Sequence, residues 1–122
     1  MAVLDYTSSQ PISASSGNVA AAAANATLTS AAGRMVYITG FTITGAGATA
    51  GSIIAVTITG VVGGTQTYNL VVPAGATLPV SLSVSFPWPL AATGMNTNIV
   101  VNVPSFGAGN TNAATVVYGM IA

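Results

Sequence analysis

Catalysis, metal binding and phosphate recognition all need side chains that this sequence scarcely has. Its 122 residues hold one carboxylate, Asp5, and one fixed cation, Arg34, with no Lys, Glu, His or Cys. General acid–base catalysis needs a group that titrates near the working pH, and the composition offers none. Ser and Thr are plentiful, but no His or Lys is present to activate one as a nucleophile. A metal site needs several carboxylates, imidazoles or thiolates, which a single Asp does not supply. Nucleic-acid and phosphate binding rest on clustered Lys and Arg, and one Arg is no cluster. Gly45-Ala46-Gly47 is glycine-rich, yet no Lys and no helical pattern follows it, so it is not a phosphate cradle. These absences predict a protein that is not an enzyme, carries no metal or cofactor, binds no nucleic acid, and has other proteins as its partners.

The residues left for recognition are apolar or neutral. Charged residues make up 2% of the chain, against about 25% in ordinary soluble domains. The formal net charge is zero, so nothing repels neighbouring copies. A surface of Ser, Thr, Asn and Gln packs against protein with little desolvation cost for charge. Self-association is therefore expected. Trp88 is the only Trp and stands between Pro87 and Pro89. Burial is the commoner fate of a lone Trp, which predicts that it caps one end of a core with its indole N–H satisfied at the edge. The competing reading is a rigid docking anchor, because Trp is enriched at binding hot spots. Arg34 reads as a solvated charge at a strand start, with a bridge to Asp5 or to a partner's carboxylate as the alternative.

Residues 1–18 are small, polar and aperiodic, and read as an extended N-terminal arm ahead of a domain over 19–122. Val3, Leu4, Pro11 and Ile12 give this arm apolar anchors. It either adds a strand to a neighbouring subunit, using backbone bonds that need no charge, or is a free tail. Ala24-Asn25-Ala26 imitates a cleavage site, but no Lys or Arg occurs in the first 33 residues, so a secretory signal is not expected. No run approaches the ~18 consecutive apolar residues of a spanning helix, and no membrane partner is expected.

The strands that position these residues come from period-two alternation. Residues 19–24, rich in Ala, read as a short strand. Residues 34–44 read as a strand with Met35, Tyr37, Phe41 and Ile43 on one face. Residues 52–62 place Ile54, Val56, Ile58 and Val62 together, and Gly63-Gly64 turns the chain into a partner over 65–72 carrying Tyr68, Leu70 and Val72. Pro73-Ala74-Gly75-Ala76 is a turn. Over 78–86, Leu78, Val80, Leu82, Val84 and Phe86 alternate with Pro79 and three serines, apolar in and polar out. Pro79 marks an edge or entrance, and Pro87-Trp88-Pro89 stops the strand. Residues 98–103 and 114–121 are two more strands, separated by Pro104 and the loop 107–112. Seven to eight strands without a helical period predict an all-β fold: a two-sheet antiparallel sandwich, jelly-roll-like.

Several segments carry a resemblance. Tyr37-Ile38-Thr39-Gly40-Phe41, Thr44-Gly45-Ala46-Gly47-Ala48 and the Gly63-Gly64-Thr65 hairpin are three of them. Val72-Pro73-Ala74-Gly75-Ala76 and Phe106-Gly107-Ala108-Gly109-Asn110-Thr111-Asn112 complete the set. Together, over roughly residues 17–121, they resemble small all-β virion proteins of tailed bacteriophages, the capsid decoration or cement class. The resemblance implies a jelly-roll-like protein, often trimeric, on the outside of an icosahedral head, with itself and the major capsid protein or another virion protein as partners. It assigns no functional residue. Two rival expectations are a filament, fibre or tail subunit, and a carbohydrate-binding sandwich with Trp88 and Tyr6 or Tyr118 as stacking platforms.

The composition also sets a pH and salt response. Only an α-amino group has a reference pKa between about pH 5 and 9, so linkage leaves folding nearly independent of pH there. Screening has almost no charge to act on, whereas excluded salts strengthen apolar burial. Melting temperature and oligomer fraction should stay flat across that pH range and up to molar sodium chloride. A sharp loss near pH 6, or at a few tenths molar salt, would contradict this.

Overall fold

The structure, a computed structural model, describes residues 10–75 and 77–122. Nine strands run through them: β1 (Gln10–Ser15), β2 (Val19–Ala20), β3 (Ala26–Leu28), β4 (Val36–Ala48), β5 (Ser52–Thr59), β6 (Gln66–Val72), β7 (Val80–Ala91), β8 (Ile99–Asn102) and β9 (Gly109–Ile121). The larger sheet has five strands in the order β1-β9-β4-β7, with β2 also on β9; the smaller has four in the order β3-β8-β5-β6. Every pairing is antiparallel.

This order is that of one long hairpin rolled up. β5 and β6 form its tip; β4 pairs with β7, β3 with β8, and β1 and β2 with β9. Rolling the ribbon sets β4 beside β9 and β5 beside β8, which divides it into two sheets. That is jelly-roll connectivity, and the expected antiparallel sandwich is the fold observed. Apolar residues at every second position meet between the sheets. Val36, Ile38, Phe41, Ile43 and Val117 come from the larger sheet and Leu28, Val56, Ile58, Ile99 and Val101 from the smaller, all essentially inaccessible to water. Phe41 and Tyr68 join the sheets edge to face, with ring centroids 5.5 Å apart, a favourable arrangement of the ring quadrupoles.

Local irregularities overturn several expectations. In β4 the register slips between Ile38 and Gly40 against both neighbours. The bulge at Thr39 reverses the alternation, so Val36 and Ile38 share the inner face with Phe41 and Ile43, and Tyr37 turns outward. β5 ends at Thr59 because Gly60, at φ +84°, swings the chain across to the larger sheet. Val61 bridges Ala92 there and is buried, while Val62 is left 55% exposed, not inward as expected. The Ala-rich run is a strand for two residues only. Ala21 adopts φ +53° and the chain crosses to the smaller sheet, where Ala24 N–H donates to the Val103 carbonyl at 2.9 Å. β9 starts at Gly109, earlier than expected, because its backbone pairs with the end of β4 whatever its side chains.

The segment expected as an arm is part of the sheet from Gln10 onward. β1 pairs with β9 over six residues, and Ile12 and Ala14 pack against the core. Ile12 therefore closes an edge of its own sandwich. Val3, Leu4, Asp5 and Tyr6 lie outside the described residues.

One polar group sits badly in this core. Thr115 faces inward on β9 with no accessible surface, and its Oγ1 has no hydrogen-bond partner among the described residues. A buried hydroxyl without a partner costs about 1–3 kcal/mol. Thr115→Val, which keeps the shape and removes the hydroxyl, should raise unfolding stability by about 1 kcal/mol in urea titration. A loss of stability would show that the hydroxyl is satisfied.

Candidate interaction surface

β7 is an edge strand, and its free side explains its pattern. Val80, Leu82, Val84 and Phe86 face inward as expected but remain half-buried, since no strand lies beyond them. Pro87-Trp88-Pro89 does not end the strand. Ser85 pairs with Gly40 and Leu90 with Ile38, so residues 86–89 bulge out opposite Thr39 alone. Proline lacks the N–H that a central strand needs, but an edge bulge does not require it. Both prolines fix φ on either side of Trp88. Trp88 is 81% exposed, which corrects the expectation that it caps the core. A Trp presents 150–250 Å² of mostly apolar surface, so leaving it in water forgoes on the order of 4 kcal/mol of burial.

Other exposed apolar residues gather near the same end. The Val62 N–H donates to the Ala91 carbonyl at 2.9 Å, and the Thr93 N–H donates to the Gly60 carbonyl at 2.9 Å. These bonds knit the β5–β6 connection to the segment after β7. Val62 and Met95, 61% exposed, therefore lie at the end of the sandwich where β4 begins, as Trp88 does. Arg34 is at this end too, half-buried, its guanidinium donating to the Ile121 carbonyl at 3.3 Å. That contact is firmer than the solvated strand-start charge expected.

The opposite end carries a second apolar group and a cavity. Ile53 and Val71 are direct partners across β5 and β6, and both point outward; Leu78 is half exposed nearby in the chain. Beside them a cavity of about 260 Å³ is lined by Gly47, Ala48, Thr49, Gly75 and Asn110. Gly75 N–H donates to the Ala48 carbonyl at 2.8 Å and Thr49 N–H to the Ala108 carbonyl at 2.9 Å. These bonds fix three connections around the opening. The lining has no ionisable side chain; its polar side chains are the Thr49 hydroxyl and the Asn110 amide.

Between the two ends, the outer face of the larger sheet is hydroxyl-rich. Ser15, Val116, Thr42 and Ser83 form one row across four strands, and the Thr42 and Ser83 hydroxyls are 3.1 Å apart. Tyr118 stands on this face, 48% exposed, with Gly40 as its neighbour on β4.

Of the residues expected to contact partners, Trp88 and Pro11 are exposed, Ile12 is turned inward, and Val3 and Leu4 lie outside the described residues. Ile53, Val62, Val71, Met95 and the cavity were not anticipated. Doubled apolar residues were the available signal: in Ile53-Ile54, Val61-Val62 and Val71-Val72, period two forces one of each pair outward. No family model, no curated protein and no solved structure matches this chain.

Because Trp88 is the only Trp, its fluorescence reports this bulge alone. In dilute, dissociated protein the emission should be solvent-like and readily quenched by acrylamide. A blue-shifted, protected emission from monomer would show the indole packed against its own sandwich.

Proposed function

We propose that the protein is a non-enzymatic structural protein of a tailed-phage virion, a decoration or cement protein that binds the capsid surface through apolar and backbone contacts. The observation that carries this reading is a jelly-roll sandwich with a neutral hydroxyl-rich face and large apolar side chains left exposed at its ends. Such a surface desolvates cheaply and offers no charge that a partner must match. Its mechanism is multivalent stitching: an oligomer straddles subunit boundaries, and many weak contacts add through effective concentration. The partners are other copies of the chain, as a trimer, and the major capsid protein.

A second reading, a filament, fibre or tail subunit, draws support from one feature. The exposed apolar groups fall at two opposite ends, which suits head-to-tail contacts; these close into rings or run on as filaments according to the rotation between copies.

Sedimentation at micromolar concentration should show a homo-oligomer, and electron microscopy of the purified protein should show closed particles of a few copies. Long filaments would favour the second reading. Monomer alone, with no retention on isolated phage heads, would remove both.

A further inference from the structure

We propose that copies of this chain associate head to tail, with the Pro87–Pro89 bulge of one copy placing Trp88 in the cavity between Ala48 and Gly75 of the next. This rests on the self-association reading above and names the contact that would produce it.

Four observations converge on this pairing. The first is distance. The bulge sits opposite Thr39, and the cavity begins at Gly47 and Ala48, nine residues further along β4 from Thr39 to Ala48. At about 3.3 Å per residue that is roughly 30 Å of paired strand. Trp88 thus has no route to the cavity of its own copy, and the contact is intermolecular. The second is size. An enclosed cavity of about 150 Å³ takes a benzene ring; this one, about 260 Å³ and open to solvent on one side, has the volume to receive part of an indole.

The third is chemistry. A buried indole needs an acceptor for its N–H, and the Asn110 amide oxygen and Thr49 hydroxyl are polar groups on the lining. Neither knob nor cavity carries a charge, and Arg34, the cation at the knob's end, is half-buried with its guanidinium already donating to the Ile121 carbonyl. Docking one on the other strands no ion in a dry interface. A second copy is therefore a partner whose electrostatics fit without any adjustment. The fourth is rigidity. Pro87 and Pro89 restrict the backbone on either side of Trp88, so less backbone freedom is lost on docking. Val62 and Met95 near the knob, and Ile53, Val71 and Leu78 near the cavity, supply the apolar surround that excludes water from a central anchor.

The test uses the full-length protein and two variants at exposed positions. Trp88→Ala removes the knob and keeps the cavity. Asn110→Lys blocks the cavity mouth and keeps the knob. Each should fold, judged by an unchanged far-ultraviolet spectrum, and each alone should raise the dissociation constant by about thirtyfold or more, the range of a buried Trp anchor. Mixing the two should restore one knob–cavity contact per pair, so sedimentation should show dimers that grow no further. If Asn110→Lys fails to fold, Thr49→Arg on the same rim replaces it.

Oligomers of Trp88→Ala as stable as wild type would overturn the inference while leaving the assembly reading intact. A mixture that stays monomeric would show that Trp88 docks somewhere other than this cavity, which also overturns it. Wild-type protein that is monomeric at a hundred micromolar would overturn self-association itself, leaving retention on phage heads as the separate test of the decoration reading.

Discussion

The pairing of β4 with β9 is the interaction on which the rest of this sandwich depends. Both strands have 13 residues, and they run side by side along most of that length at the centre of the larger sheet. One comes from the first half of the chain and the other from its end. Their union closes the rolled hairpin: without it β1, β2 and β7 have no common sheet to join. The close approach is built into the sequence. Gly119 lies against the Tyr37 carbonyl, where any side chain would collide with backbone. A contact so distant in sequence carries a larger loop-closure cost than the local β5–β6 hairpin.

The near absence of charge acts on this frame in a specific way. Polar groups on the surface are hydroxyls and amides, and many are used on the backbone. Asn25 Oδ1 accepts from the Val103 N–H at 2.8 Å, Asn98 Oδ1 from the Ser30 N–H at 2.8 Å and Asn96 Oδ1 from the Gly33 N–H at 2.9 Å. These bonds tie the corners where the chain leaves one sheet for the other. The asparagines that look like loop filler in the sequence are the fasteners of the connections.

Much of the fold was legible because alternation is a strong signal. β6 and β7, with Tyr68, Leu70 and Val72 or Val80 to Phe86 on one face, follow the pattern read from sequence. Several of the misses share one cause, an alternation broken by backbone geometry that composition does not display. Thr39 is an ordinary strand residue until pairing on both sides forces it into a bulge. Gly60 falls inside the strand expected over 52–62, and only the φ it adopts reveals that the strand ends there and that Val61, not Val62, goes inside. Prolines flanking Trp88 look like a strand terminator, and they are one in a central strand. On an edge they are a bulge, and edge position is a property of topology. The interaction surface was less legible still. Pro11 and Trp88 were visible as candidates, but a cavity assembled from the end of β4, the β6–β7 connection and the start of β9 has no local signature.

The edges of the two sheets have one more consequence. Natural proteins commonly guard exposed strand edges with lysines, and this chain has none. Its edges are guarded by shape. β1 carries Pro11, β7 is interrupted by Pro87 and Pro89, and β3 is only three residues long, whereas the fourth edge, β6, is seven residues without a proline. Charge-based protection fades when salt screens it, whereas a missing N–H or a bulged backbone is the same in any buffer. At the three guarded edges, protection against edge-to-edge pairing is therefore independent of salt. With almost no electrostatic repulsion, three of the four sheet edges limit strand-to-strand attachment by backbone geometry, which leaves side-chain contacts and the β6 edge as the places where neighbours can meet.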